Sequence, residues 1–284
     1  MAGTLYVVAT PIGNLGDITL RAIETLRAAH RVLAEDTRRT LALLSHLGIA
    51  GKPVDRLDAH APVQALERAI ERLGAGEDLA LVTDAGTPIV SDPGSALVRL
   101  AAERGVRVVP IPGASAVLAA VCASGLVAGP FRFVGFLPRS GPPRREALQK
   151  IAAAEEPVVL FESPERAADT LRDLAEIDPR RRAAVARELT KLHEEIARGT
   201  TAELAALDRA WIGEITIVLG EGEIGAAPTL DDAEIDRRID EALDLHRRAR
   251  DIAEELSLVT RAPKKDLYAR VVSRRDLRRS QRDE

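Results

Sequence analysis

Two short runs, "DLALVTD" and "RVVPIP", are apolar without polar alternation. A strand with one wet face alternates; a strand covered on both faces does not. These runs therefore constrain the fold to a sheet with helices packed on both sides. The flanking sequence agrees. Short β-rich runs at Leu5–Ala9, Arg31–Ala34, Leu79–Thr83 and Val106–Ile111 are separated by amphipathic patterns such as Leu20–Ala29 and Val63–Leu73. Strands alternating with helices predict a parallel α/β sheet.

"GASAVLAAVCASGLVAGP" reads as a small-residue helix ended by Gly129-Pro130. A domain boundary is placed near Val117–Ala120, after which "FRFVGFL", "PVVLFES", "RAAVAREL", "EEIARGT" and "EITIVLG" make the second half richer in strand. Ala226–Thr229 reads as a linker. Apolar residues at 235, 239, 242, 243, 249, 252, 253 and 256 predict one long helix, and "RAPKKDLYARVV" a further short one. The expected organisation is two α/β domains, 1–118 and 119–226, and a basic helical extension, 227–284.

At 284 residues the chain can bury a sizeable core. Its apolar runs fall far short of the ~20 residues that span a bilayer. "TLYVVAT" follows the start with no basic region or cleavage site, and a single cysteine, Cys122, rules out an internal disulfide or a multi-cysteine zinc site. A cytoplasmic location away from any membrane is the expectation. From Arg261 onward nine Lys/Arg face four Asp/Glu, a net of +5, whereas the preceding residues carry 31 basic and 40 acidic groups, a net of −9. A basic tail on an acidic body suits a polyanion partner, or a solvated terminus.

Several familiar motifs are excluded. "GEGEIG", Gly220 to Gly225, matches a dinucleotide fingerprint, but a linker with Pro228 follows where a helix should open, and Glu221 and Glu223 would repel a pyrophosphate. There is no phosphate-binding P-loop, no H-E-x-x-H and no G-x-S-x-G, and the five histidines are scattered. His30 and His46 read as helix-surface or capping residues.

What remains is four loops at the C-terminal ends of predicted parallel strands, the edge where open α/β sheets bind ligands. "ATPIGNLGDITLRA" holds Pro11, Gly13 and Asn14, with Asp17 or Thr19 as helix cap. "AEDTRRT" crowds Glu35, Asp36, Thr37 and Arg38 at a strand end, either for a ligand or as an acidic helix N-terminus. "LVTDAGTPIVSDPG" presents Asp84, with Gly86-Thr87-Pro88 for close backbone approach and Asp92-Pro93-Gly94 as the turn into the next helix. "PIPGASA" adds Gly113 and Ser115. The last two loops lack Lys and Arg, so a zwitterion fits them better than a polyphosphate.

Together "LYVVATPIGNLGDITLRA", "AEDTRRT", "DAGTPIVSDPG", "PIPGASA", "GFLPR", "FESPER", "RELTKLHEE…RGT" and "GEITIVLG" resemble the ribosomal RNA small-subunit methyltransferase I family, within the tetrapyrrole-methylase-like superfamily. The resemblance spans residues 4 to about 272. It implies an S-adenosylmethionine (SAM)-dependent homodimer of two α/β domains with the cofactor in the cleft between them. The implied reaction is methylation of a cytidine ribose 2′-hydroxyl in 16S rRNA of the small ribosomal subunit. A precorrin-type tetrapyrrole C-methyltransferase and a non-catalytic SAM-binding ribosome-associated factor are the alternatives.

Carried onto this chain, the resemblance assigns Asp84, Ala85, Gly86, Thr87 and Pro88 to the amino-acid end of SAM, supported by Ser115 and Ala116. Phe161, Glu162, Arg187, Leu189, Ile212 and Gly213 approach the adenosine, and Pro11 and Gly13 flank the methyl donor. A 2′-hydroxyl is a poor nucleophile and benefits from a general base. Glu35, Asp36, Glu188 and a Lys191 of depressed pKa are the candidates, unless Glu188 and Lys191 are an exposed strand pair. With 2% aromatics, base stacking is disfavoured and phosphate contact favoured. The expected RNA contacts are Asn14, Arg38 as phosphate clamp, Arg39, a flexible Pro/Arg lid carrying Arg139, Arg144 and Arg145, and Lys264 and Lys265.

Overall fold

A computed structural model describes residues 2–207, 209–222, 232–245, 247–260 and 264–280. The chain divides into two compact units, Met1–Leu148 with Glu156–Glu221, and Gln149–Glu155 with Gly222–Glu284.

The first unit opens with β1 (Thr4–Val8), α1 (Leu20–Ala28), β2 (Arg31–Ala34), α2 (Thr37–His46), β3 (Val54–Arg56), α3 (Val63–Gly74), β4 (Leu79–Val82), α4 (Ser95–Glu103), β5 (Arg107–Ile111) and α5 (Ala116–Ser124). The strands form one parallel sheet in the order β3-β2-β4-β1-β5. All four residues of β4 are buried. Leu79 and Leu81 face α3 and α4, packing with Ile70, Leu73 and Leu97. Ala80 and Val82 face the other side, with Leu26 of α1 and Leu44 of α2. The absence of alternation in the sequence is thus the mark of two covered faces.

Helices after β1 and β2 cover one face, and those after β3 and β4 the other. β1 and β4 are neighbours, so their outgoing chains part in opposite directions. That is a topological switch point, where open parallel sheets form a crevice.

The second sheet follows: β6 (Arg132–Phe136), α6 (Gly141–Ala152), β7 (Val158–Glu162), α7 (Pro164–Ile177), β8 (Arg182–Arg187), β9 (Glu195–Thr200), α8 (Thr201–Ala205) and β10 (Ile215–Leu219). Its order is β6-β7-β10-β8-β9; β6 and β7 are parallel and the other pairs antiparallel. Val117 and Ala120 of α5 pack on it with Val159, Ala184 and Val218, and so does Ile12 from the loop after β1. One residue of the first sheet's ligand edge is therefore part of the second sheet's core.

Three local expectations change. α5 stops at Ser124, before Gly129-Pro130, because Gly125 takes the left-handed conformation that ends helices (φ 72°). The Pro/Arg segment is no loop: Pro142 and Pro143 occupy the first turn of α6, where a missing N–H has no helical partner to lose. The long C-terminal helix is two helices, α9 (Asp232–Asp244) and α10 (Ala249–Thr260). The apolar step from Leu243 to Ala249 is too long for one helical stripe.

The short helix after them is longer than expected: α11 runs from Lys264 to Ser280. The three helices share a core of Ile235, Ile239, Ile252, Leu256, Leu267 and Val271. Arg270 reaches Asp236 at 2.7 Å and also Asp232; Arg274 reaches Asp236 at 2.8 Å and also Asp240. Part of the tail's positive charge is thereby neutralised within the unit. The third glycine of "GEGEIG" and the linker with Pro228 lie outside the described residues.

Candidate active site

The loops after β1 and β4 are stitched together at the switch point. Thr10 N–H donates to Gly86 O at 2.9 Å and Gly86 N–H returns to Thr10 O at 3.1 Å. The Thr10 hydroxyl donates to Thr83 O at 3.1 Å. Gly86 is left-handed at φ 86°, and an added Cβ would stand 3.3 Å from Ile12 Cγ2. Thr87 then donates to Ala114 O at 3.2 Å, tying this loop to the one after β5, where Ser115 caps α5.

Beyond Thr87 the backbone is strained. Ile89 (φ 80°) and Ser91 (φ 66°) are non-glycine residues in the left-handed region. For a β-branched residue such as Ile89 that is a genuine outlier, and such strain persists only where the surroundings enforce it. Glu188 (φ 51°) and Thr190 (φ 68°), after β8, are the same. The described non-glycine residues with positive φ are these four, and they lie in two loops of the first unit.

A cavity of about 360 Å³ opens between the sheets. From the first half come Ala85, Gly86 and Thr87, then Ser115 and Ala116; from the second come Phe161, Glu162 and Gly213. Eight of the expected cofactor residues therefore share one cavity. Pro11 and Asp84 line a neighbouring cavity with Arg39. Pro88, Arg187, Leu189 and Ile212 line neither: Leu189 is buried in the core, Arg187 is paired with Glu195 at 2.7 Å, and Ile212 points outward with 69% exposure. Ile12, Val90, Ser91, Asp92, Phe136 and Glu214 line the 360 Å³ cavity and were not singled out in the sequence as ligand residues. Ser163, Pro164, Ile215 and Thr216 join them. "FESPER" carried one signal for two of these, since Ser163 before Pro164 is helix-start chemistry at a strand end.

Phe161 meets Phe133 edge-on at 5.0 Å and Phe136 at 5.5 Å, giving one wall an aromatic surface. Glu162, 2% exposed, is fully engaged: it accepts from Ser163 N–H at 2.8 Å and the Thr170 hydroxyl at 2.7 Å, and pairs with Arg166 at 2.6 Å.

At the rim, Lys191 lies across Gly13. A Cβ on Gly13 would fall 2.4 Å from Lys191 Cγ. Lys191 Nζ reaches Glu188 at 2.8 Å and Glu214 at 3.2 Å. Burial pulls its pKa down, but these hydrogen bonds and charges prevail, and the net shift is upward. The depressed pKa expected of a lysine base is therefore contradicted: Lys191 holds its proton. Glu188 is correspondingly lowered, by the Lys191 hydrogen bond first and then by Glu214 N–H. The pair sits in a turn after β8, not on an exposed strand. Thr190 Oγ1, beside Gly13, is buried without a partner.

Asp36 caps α2, accepting from Arg38 N–H at 2.8 Å, while the Arg38 guanidinium holds its other oxygen at 2.8 Å. The Arg38 hydrogen bond drives the Asp36 pKa far below the usual carboxylate range. A carboxylate so stabilised is a weak base. Arg38 itself is 89% exposed but engaged by Asp36. Arg39 lies 3.4 Å from Asp84, and Asn14 Oδ1 accepts from Gly16 N–H at 2.9 Å. Arg144, expected as a free RNA contact, is bound up in structure: its side chain is only 12% exposed and meets Asp173 at 2.7 Å and Thr170 at 2.9 Å. Arg139 and Arg145 are exposed beside it. In the other unit Lys264 pairs with Glu254 at 2.6 Å, and Lys265 is exposed.

Residues 4–205 match the family Tetrapyrrole (Corrin/Porphyrin) Methylases. A Ribosomal RNA small subunit methyltransferase I from Xylella fastidiosa is 44% identical over 272 residues, covering 94% of this chain and 98% of its own. The chain belongs to the ribosomal RNA small subunit methyltransferase I family. A Synechocystis member is 40% identical, over 94% of this chain and 96% of its own. Among solved structures, uroporphyrin-III C-methyl transferase from Thermus thermophilus complexed with S-adenyl homocysteine shares the fold at a TM-score of 0.56 and 21% identity, covering 77% of this chain and 98% of its own. Diphthine synthase does so at 0.57 and 22%, over 77% and 90%.

Proposed function

We propose that this protein is a SAM-dependent enzyme that methylates the 2′-hydroxyl of a cytidine ribose in 16S rRNA of the small ribosomal subunit. The observation that carries it is the near full-length match to family relatives named for that rRNA, together with a cavity of fitting chemistry. SAM has a sulfonium centre, an aromatic base and a zwitterionic amino-acid end. The cavity offers a Phe161 wall for the base, small residues Ala85 and Gly86 where backbone approaches closely, and the Thr87 and Ser115 hydroxyls for a zwitterion. No lysine or arginine lines it, which suits a ligand that itself carries a sulfonium.

SAM supplies an electrophilic methyl group for in-line displacement. This chain supplies position: loops from two sheets hold the donor site, and their strained backbone keeps the walls preformed. Lys191 cross-links Glu188 and Glu214 over Gly13 and acts as a clamp, not a base. Arg39, Arg139 and Arg145 are the proposed phosphate contacts, with Lys265 on the helical unit. Homodimerisation and a cytoplasmic location belong to the same reading; among the described residues no helix is long and apolar enough to cross a membrane.

The test is methyl transfer from labelled SAM to small ribosomal subunits, naked rRNA and a uroporphyrinogen side by side. Label in the subunit rRNA is expected. Label in the tetrapyrrole would assign a different substrate, and SAM binding without label in any of them would favour a non-catalytic factor.

A further inference from the structure

Of the four candidate bases named by sequence, Glu35 accepts from the Thr83 hydroxyl at 2.8 Å and is not among the residues lining the 360 Å³ cavity, and the other three are already committed. Asp36 is held by Arg38, Glu188 by Lys191, and Lys191 is already protonated. Three carboxylates line the 360 Å³ cavity: Asp92, Glu162 and Glu214. Glu162 is paired with Arg166 and Glu214 with Lys191. Asp92 has no cationic partner among the described residues.

Its placement is unusual in three further ways. Asp92 is a wall between two cavities, the 360 Å³ one and a second of about 340 Å³ at the ends of β3 and β4. That second cavity is also lined by Glu35 and Asp58 and by no lysine or arginine. It therefore suits a ligand that donates hydrogen bonds, such as a sugar hydroxyl, rather than a phosphate. Finally, Asp92 follows the strained Ile89–Ser91 segment and precedes Pro93 and left-handed Gly94, so its backbone is held from both sides.

The groups facing it are Glu35 after β2, Asp84 after β4 and the Thr83 hydroxyl, which also donates to Glu35 at 2.8 Å. Asp58, across the second cavity, is paired with Arg56 at 2.7 Å. Arg39 approaches Asp84, not Asp92. Burial raises the Asp92 pKa, the Thr83 hydrogen bond lowers it, and the charges of Glu35 and Asp84 raise it again, to about 6. A base with proton affinity near the working pH is both ionised and able to take a proton.

Resting on the proposed methyl transfer, we propose that Asp92 is the catalytic base: its carboxylate accepts the proton of the attacking ribose 2′-hydroxyl. The O–CH3 bond forms as the S–CH3 bond breaks, the bonding pair leaves with sulfur as a neutral thioether, and the hydroxyl proton ends on Asp92.

The experiment compares wild type with Asp92→Asn in single-turnover methylation of small subunits, alongside S-adenosylhomocysteine calorimetry, thermal unfolding at pH 7 and 13C NMR titration of the aspartate carboxyls. The variant is expected to react about 100-fold or more slowly. Its S-adenosylhomocysteine affinity should stay within about threefold and its melting temperature should not fall. The wild-type rate should rise with pH to a plateau above about 6, and one carboxyl resonance titrating there should vanish in the variant. A variant within threefold of wild-type rate overturns the proposal, and so does one whose rate loss tracks lost cofactor affinity or stability. Wild type that binds S-adenosylhomocysteine yet labels no ribose would instead contradict the reaction itself.

Discussion

The two sheets meet at one cavity but bring different chemistry to it. The parallel sheet delivers carboxylates at its strand ends: Glu35, Asp84 and Asp92 cluster with Arg39 as the nearby cation, on Asp84 alone. The mixed sheet delivers walls and closed ion pairs: Phe136 and Phe161, Glu162 with Arg166, Glu188 and Glu214 with Lys191. A charge that is already paired is poor at moving protons and good at holding shape. On the proposed mechanism, proton transfer falls to the first sheet and rigidity to the second, although both contribute similar residue types.

Substitutions on the two sides should therefore fail differently. The largest stability effect is expected at Arg144→Ala, behind the mixed sheet. It leaves Asp173 without its partner and removes a neighbour 3.9 Å from buried Glu162. Removing the 12%-exposed Arg144 side chain, which bonds buried Thr170 as well as the more exposed Asp173, should cost about 2–3 kcal/mol, read by urea unfolding, with little change in the salt dependence of subunit binding.

Next is Gly213→Ala. Gly213 is left-handed at φ 85°, and a Cβ would fall 2.2 Å from Glu188 Oε1. The clamp must shift, for a loss of about 1–3 kcal/mol by the same assay. Lys191→Ala should lower turnover roughly tenfold by loosening the rim, while leaving the pH profile in place. A profile whose upward limb disappears in that variant would make Lys191 the base after all.

The first sheet should show itself in pH-dependent stability. The Asp92 pKa is raised in the folded protein, so the native state favours the protonated form. Its contribution is fully present below the ordinary value of 3.8 and is lost as pH rises through about 6. Asp92→Asn should flatten that decline, measured as melting temperature between pH 4 and 7. The smallest effect is expected for Arg139→Ala and Arg145→Ala: each should reduce the slope of log affinity against log salt by about 1, with cofactor binding unchanged.

Much of this was legible in the sequence. Unbroken runs such as "DLALVTD" announced a doubly covered parallel sheet, and its strand-end loops located the ligand edge. Partners were not legible. Arg144 looks like a free cation in "PPRRE", but Pro142 and Pro143 start a helix that turns it toward Asp173, 29 residues away. Lys191 looks like a base until Glu214, far along the chain, arrives beside it. Asp92 in "SDPG" has the local chemistry of a turn residue; only the convergence of β2 and β4 sets Glu35 and Asp84 against it. Local pattern reports element and edge, whereas pairing is a tertiary property.

The most direct test of a site built for oxygen methylation with a carboxylate base is nucleoside mass spectrometry of small-subunit rRNA after reaction with labelled SAM. The label is expected in 2′-O-methylcytidine. Label on a base carbon or nitrogen, with the ribose unlabelled, would contradict it.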